Sequence, residues 1–109
     1  LRYYYGNNMY INTAEEVSGI PASWPRVDLT IGSTGEKVRQ IQEELARISR
    51  SYPAIPTVTP DGIYGPATRE AVEVFQRVFG LPVTGVIDYR TWYKISEIYV
   101  AVSRIAELV

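Results

Sequence analysis

Four glutamates are the side chains of this chain best suited to acid–base chemistry: Glu43, Glu44, Glu70 and Glu73. Two carboxyl groups facing each other across a cleft can hydrolyse a glycosidic bond. The neighbours of these four are charged and helical in pattern, which indicates solvated helix faces rather than an apolar pocket that would raise one acid's pKa. The sequence has no histidine and no cysteine, so serine–histidine, cysteine–histidine and histidine–zinc chemistries are excluded for these residues alone. We therefore predict that this chain is not itself an enzyme and binds no cofactor or metal.

A second set of residues, around the turn Asp61-Gly62, is suited to binding. We expect the Asp61 carboxylate to accept backbone N–H groups in an Asx-type turn, a geometry that also allows it to line a ligand groove. Gly65-Pro66 then predicts a helix start, because proline at the first helical position loses no hydrogen bond. The N–H groups of that first turn, between Gly65 and Thr68, could receive a carboxylate or an acetamido carbonyl.

Four further side chains have two interpretations each. Tyr64 is either a buried anchor or an exposed ring that contacts the C–H surface of a sugar. Arg69 either binds a ligand carboxylate or pairs with Glu73, four residues further on. Gln42 and Gln76 each follow a core position, and we favour fastening of loop backbone by their amides over direct ligand contact.

The first helix must present the glutamine Gln42, and we predict that it begins at Ser33, where Glu36 would complete a reciprocal capping pair. It should end before Pro53, and residues 53–60 are too rich in proline for regular structure. Its predicted buried stripe consists of Val38, Ile41, Leu45 and Ile48.

Two more helices are predicted. Helix two should start at Pro66 and stop at Gly80, and helix three should be capped by Asp88 and run to the C-terminus, about 20 residues or about 30 Å. The predicted apolar stripe of helix two is Ala71, Val72, Phe75, Val78 and Phe79, and that of helix three is Trp92, Ile95, Tyr99, Val102, Ala106 and Val109.

A faint internal repeat relates the first two helices at an offset of 34 residues. The matched pairs are Thr34 with Thr68, Val38 with Val72, Ile41 with Phe75 and Gln42 with Gln76. Two similar helices could thus pack as a near-symmetric pair, each with a glutamine beside its apolar stripe, although one repeat is too little for a solenoid.

Taken in order, these signals resemble the peptidoglycan-binding domain family of bacterial cell-wall hydrolases over about residues 29–95. The motifs that carry the resemblance are Leu29-x-Ile31-Gly32-Ser33-x-Gly35, the helix-one residues Val38, Ile41, Gln42 and Leu45, the run Asp61 to Arg69 with Ala71, Val72, Phe75, Gln76 and Gly80-Leu81, and Thr84-Gly85-x-Ile87-Asp88-x-x-Thr91-Trp92. The resemblance implies a compact three-helix domain that binds the glycan strand or stem peptide of the wall without cutting it. It also implies a covalently linked lytic domain, frequently a zinc-dependent amidase or peptidase, and a location outside the cell, at the wall or spore envelope.

From the residues and the resemblance together, the predicted ligand-binding set is Gln42, Asp61, Tyr64, Gly65, Thr68 and Arg69. The charge balance argues against binding through anionic wall polymers. The formal charge is −1 without a cluster of lysine or arginine, which argues against a nucleic-acid surface. No apolar run approaches the roughly 20 residues that a membrane-spanning helix needs.

The predicted fold class is all-α, a three-helix bundle with an N-terminal extended segment and a lengthened last helix. We assign residues 1–28 to an extension and residues 29–109 to the binding domain, and we expect the chain, which starts at Leu1, to be part of a longer protein. The tyrosine-rich start of the extension fits a helix tail or a strand equally well. An alternative function is a spacer that docks on its parent enzyme or on a sister repeat, because the tyrosines and the long last helix offer extra apolar surface.

Overall fold

The structure, a computed structural model, describes the backbone of residues 24–108 and the side chains of residues 24–103. Three helices follow one another: α1 (Glu36–Ser51), α2 (Pro66–Val78) and α3 (Tyr89–Leu108). Within the described range, β-pairing is limited to two single antiparallel bridges, Leu29 with Ile87 and Thr34 with Ile63. The all-α prediction is confirmed. The two interpretations of the tyrosine-rich start concern residues outside the described range.

The core forms where the predicted apolar stripes meet. All four stripe residues of α1 are fully buried, as are Ala71, Val72 and Phe75 of α2 and Trp92 and Ile95 of α3. Among the stripe residues whose side chains are described, Val78 was predicted wrongly, since it ends α2 and remains 43% exposed. The predicted stripe residues Ala106 and Val109 lie outside the described side chains. The sequence patterns also missed Ile55 and Val58, which are buried although they belong to the irregular loop between α1 and α2.

The start of α1 differs from the prediction. The helix begins at Glu36 after the N-cap residue Gly35, and no side chain caps it. The Ser33 hydroxyl instead accepts the Thr30 N–H at 3.0 Å. The reason is tertiary. The Ser33 carbonyl accepts the Tyr64 N–H at 2.9 Å, and the Gly32 and Gly35 N–H groups donate to the Tyr64 and Gly62 carbonyls, so residues 32–35 pair with residues 62–64 and do not join the helix.

The other helix ends follow the sequence signals. Pro66 is the first residue of α2, and the Thr91 N–H donates to the Asp88 carboxylate at 2.9 Å, so Asp88 caps α3 as predicted. At 20 residues, α3 has the predicted length. Its second half is held against α1, because Arg47 Nη2 donates to the Val102 carbonyl at 3.0 Å.

Candidate peptidoglycan-binding site

The turn at Asp61 forms the first part of the site. The Asp61 Oδ1 atom accepts the Ile63 N–H at 3.0 Å, which is the Asx-type turn that the sequence predicts. Gly62 has a φ of 78°, and a Cβ atom there would lie 3.3 Å from the Gly35 carbonyl oxygen. The positive φ and this close approach both favour glycine, so the turn is fixed tightly against the start of α1.

Gln42 fastens this turn from the middle of α1. Its amide is 1% exposed, its Oε1 accepts the Gly62 N–H at 2.8 Å, and its Nε2 donates to the Ile63 carbonyl at 3.0 Å. The same nitrogen lies 3.1 Å from Asp61 Oδ1 and 2.9 Å from Thr68 Oγ1, so one of its two N–H groups is shared between two acceptors. Gln42 is therefore a loop-fastening residue whose amide is fully occupied by protein groups.

Gln76 fastens a second turn, residues 84–86, in the same way. Its Oε1 accepts the N–H groups of Thr84 and Gly85 at 2.9 and 3.0 Å, and its Nε2 donates to the Val86 carbonyl at 3.0 Å. Nε2 also lies 3.1 Å from the Thr91 hydroxyl. The internal repeat seen in the sequence is therefore structural: each of the first two helices fastens the turn that precedes the next helix.

A shallow open depression of about 520 Å³ lies between the Asp61 turn and the start of α1. Its lining residues are Gly35, Glu36, Arg39, Pro60, Asp61 and Gly62. It combines carboxylate acceptors with the Arg39 guanidinium, next to a helix N-terminus that has no side-chain cap. Such a surface can bind a polar group that both donates and accepts hydrogen bonds.

The Asp61 carboxylate remains charged in this turn. The Ile63 N–H and then the Gln42 amide lower its pKa below the ordinary value of 3.8. Both donors contact Oδ1, and within the described residues no group donates to Oδ2. Asp61 is thus an exposed, ionised acceptor with one oxygen available to a ligand.

Three of the six predicted site residues have side chains directed into the protein. Tyr64 is 1% exposed and its hydroxyl donates to the Gly85 carbonyl at 2.6 Å, while burial raises its pKa. Thr68 and Gln42 are buried as well. The buried-anchor interpretation of Tyr64 therefore describes the structure, and these three side chains support the turns without lining the depression.

Gly65 and Arg69 lie at the start of α2, outside the residues that line the depression. Gly65 is the N-cap of α2, again without a side-chain cap. The Arg69 side chain is half exposed, and its Nε lies 3.1 Å from a Glu73 carboxylate oxygen, as the solvated-pair interpretation predicts. It covers the second turn so closely that a Cβ atom on Gly85 would be 2.8 Å from Arg69 Nε.

The sequence reasoning missed Glu36 and Arg39, which line the depression. A signal for Arg39 was present. Both α1 and α2 carry an arginine as their fourth residue and a glutamate four residues later, giving the ion pairs Arg39–Glu43 at 3.6 Å and Arg69–Glu73 at 3.1 Å. Each arginine also lies next to the turn glycine that its helix faces, Gly62 or Gly85.

One of the four glutamates does not fit the prediction of solvated faces. Glu44 is partly buried, its Oε1 atom is buried without a hydrogen-bond partner, and burial raises its pKa to about 7. It does not line the depression. Within the described residues, no group of three or more aspartates or glutamates is arranged to hold a metal ion.

Comparison with known proteins identifies the family and the fold. Residues 34–95 match the family model described as "Putative peptidoglycan binding domain". This chain belongs to that family. The described part of this family member contains no helix that is both long and apolar enough to cross a membrane.

The peptidoglycan-binding domain has relatives in larger enzymes. It is 39% identical over 71 residues to the zinc D-Ala-D-Ala carboxypeptidase of Streptomyces albus G, a match that covers 64% of this chain and 26% of that protein. The chain therefore spans about a quarter of that relative's length. The matched region is a separate, non-catalytic module.

Two solved structures share the fold. The SleB N-terminal domain superposes with a TM-score of 0.58 at 30% identity, covering 68% of this chain and 94% of that one. The fused Zn-dependent amidase/peptidase/peptidoglycan-binding domain-containing protein of Clostridium acetobutylicum ATCC 824 gives a TM-score of 0.57 at 27% identity, covering 64% of this chain and 29% of that one.

Proposed function

We propose that this domain binds peptidoglycan without cleaving it, and that the depression between the Asp61 turn and the start of α1 is its main contact. The observation that carries the proposal is the Asp61 carboxylate, held rigidly through Oδ1 with Oδ2 available at the surface. A fixed acceptor beside an uncapped helix N-terminus matches a secondary amide, whose N–H meets the carboxylate and whose carbonyl meets the helix.

Secondary amides occur in both components of the wall, as acetamido groups on the glycan and as peptide bonds in the stem. Arg39 favours the stem, because its guanidinium can bind a peptide carboxylate with two parallel hydrogen bonds. Gly65 and Arg69 are proposed to extend the contact along the start of α2. Glycan chains stripped of peptide and free stem peptides, titrated separately, distinguish the two ligands.

A shallow site buries little surface, so we expect weak binding that becomes effective through tethering. We propose that the domain, residues 29–109, anchors an attached cell-wall lytic enzyme of the zinc amidase or peptidase type to the wall, outside the cell. The zinc carboxypeptidase and the fused Zn-dependent amidase/peptidase among its relatives support this arrangement.

The test is sedimentation of the domain with insoluble cell wall. We expect the wild type to be retained, and Asp61→Asn and Arg39→Ala to lose most of that retention. Asp61→Asn keeps the oxygen that accepts the Gln42 and Ile63 donors and removes the charge. Arg50→Ala is the matched control, an exposed arginine in the last turn of α1, about 16 Å along the helix from Arg39. Equal retention of all four proteins would exclude this site, and no retention of the wild type would exclude wall binding.

One observation favours the docking alternative. Tyr89, Tyr93 and Val100 are 50, 45 and 42% exposed, and their spacing places them on one face of α3. Exposed apolar stripes commonly mark protein interfaces. Docking would be established instead by two results together. The wild type would not be retained by wall, and it would bind the parent catalytic domain tightly in a way that Tyr93→Ser abolishes.

A further inference from the structure

The two fastening glutamines hold turns of different chemistry. Gln42 and Gln76 are each 1% exposed and each bind a turn N–H, a turn carbonyl and a threonine hydroxyl. The first residue of the turn is Asp61 in one case and Thr84 in the other. Only the first glutamine therefore contacts an ionised group that adjoins the depression.

We propose that Gln42 is a positioning residue for wall binding, whereas Gln76 contributes to stability alone. This inference rests on the proposed function. Gln42 Nε2, at 3.1 Å, and the Ile63 N–H, at 3.0 Å, both occupy Oδ1 of Asp61. The carboxylate is thereby held in one rotamer with Oδ2 as its free acceptor, and a ligand meets a group that needs no reorganisation.

The pKa of Asp61 reports the contact with Gln42 without any ligand. Hydrogen bonds to a carboxylate favour its charged form, and the Gln42 amide is one of the two donors that lower the Asp61 pKa. Loss of the amide should raise this pKa toward 3.8, its ordinary value. Loss of the Gln76 amide should leave it unchanged, because Gln76 contacts the second turn.

The experiment compares Gln42→Met with Gln76→Met. Each variant removes a buried amide and leaves backbone N–H groups without their acceptor, that of Gly62 in Gln42→Met and those of Thr84 and Gly85 in Gln76→Met, so we expect the urea midpoint to fall in both variants and at least as far in Gln76→Met. Both are assayed where folded protein predominates. Wall affinity should fall about tenfold in Gln42→Met, equivalent to about 1.4 kcal/mol, and stay within about twofold of wild type in Gln76→Met. Carbon-detected NMR titration of the Asp61 carboxyl group should show a raised pKa in Gln42→Met alone.

Equal losses of affinity in the two variants, or an Asp61 pKa that does not move in Gln42→Met, would overturn the positioning role. If either methionine variant does not fold, the pair Gln42→Glu and Gln76→Glu replaces it. A glutamate at position 42 keeps the oxygen that accepts the Gly62 N–H but places a second carboxyl group beside Asp61. The pH below which wall binding is lost should then be higher in Gln42→Glu only. A wild-type protein that does not bind wall contradicts the proposed function, while the NMR titration still decides whether Gln42 controls Asp61.

Discussion

Glu44 offers the sharpest test of how burial controls charge in this domain. Its Oε1 atom is buried without a hydrogen-bond partner, and Oε2 accepts a long bond of 3.4 Å from Gln40. Burial, aided by the neighbouring charge of Glu43, raises its pKa from 4.5 to about 7, against the opposing effects of Gln40 and Lys37. The folded state therefore binds this proton more tightly than the unfolded state does.

The sign of the pH dependence follows from that difference. The stability linked to a raised pKa is fully present below pH 4.5 and is lost as the pH rises through the folded-state value of about 7. At 1.36 kcal/mol per pKa unit, the gap between the two values corresponds to about 3 kcal/mol. Glu44→Gln replaces the acid by a neutral group of the same shape and should abolish this loss.

Urea unfolding followed by far-ultraviolet circular dichroism measures the effect. Relative to wild type, Glu44→Gln should gain about 3 kcal/mol between about pH 4 and about pH 8.5. The comparison across pH cancels any constant cost of burying the amide. Glu70→Gln, at an exposed position on α2, is the control and should show no such gain. An advantage of Glu44→Gln that is the same at both pH values would refute the assignment of a buried, neutral acid.

Two further predictions concern the second turn. Tyr64→Phe removes the 2.6 Å hydrogen bond to the Gly85 carbonyl and should lower the free energy of unfolding by about 1 to 2 kcal/mol, measured by urea denaturation; an unchanged midpoint would mean that water replaces the hydroxyl. Gly80→Ala and Gly85→Ala introduce a Cβ at nearly equal φ values of 75 and 72°, and only the second meets Arg69, at 2.8 Å. We expect about 1 kcal/mol of backbone cost in Gly80→Ala and a larger loss in Gly85→Ala. Most of the excess should disappear when Arg69→Ala is added, since the remaining close neighbour of the new Cβ is Glu73 Oε2 at 3.1 Å. An excess that Arg69→Ala leaves unchanged would contradict the steric explanation.

The candidate site shows how far local reasoning extends. The Asx turn of Asp61 was predictable because all its atoms lie within three residues, and the Arg69–Glu73 pair was predictable because it lies on one helix. The orientation of Tyr64 was not, because its hydroxyl reaches Gly85, 21 residues away. The fastening role of Gln42 was foreseen in kind, while its particular partners depended on how the turn packs against α1.

Glu36 and Arg39 are site residues that the sequence analysis did not predict. Both lie on a regular helix whose pattern is plain in the sequence, and the one local sign was the arginine–glutamate spacing that Arg39 shares with Arg69. They become candidates only because residues 60–62 pack beside the start of α1 and form with it the depression that both residues line. A depression forms where two segments of the chain meet, so the sequence of either segment alone does not predict it.

The sequence by itself determined most of the three apolar stripes, the proline start of α2, the Asp88 cap of α3 and the exclusion of histidine and cysteine chemistry, since these depend on residue type and on neighbours within one helical turn. The tertiary structure decided the rest. It moved the start of α1 from Ser33 to Glu36 by pairing residues 32–35 with residues 62–64, and it partly buried Glu44 on a helix face that the sequence predicts to be solvated. Burial and pairing are settled by segments distant in the chain, because the free energy of removing a group from water depends on everything that surrounds it.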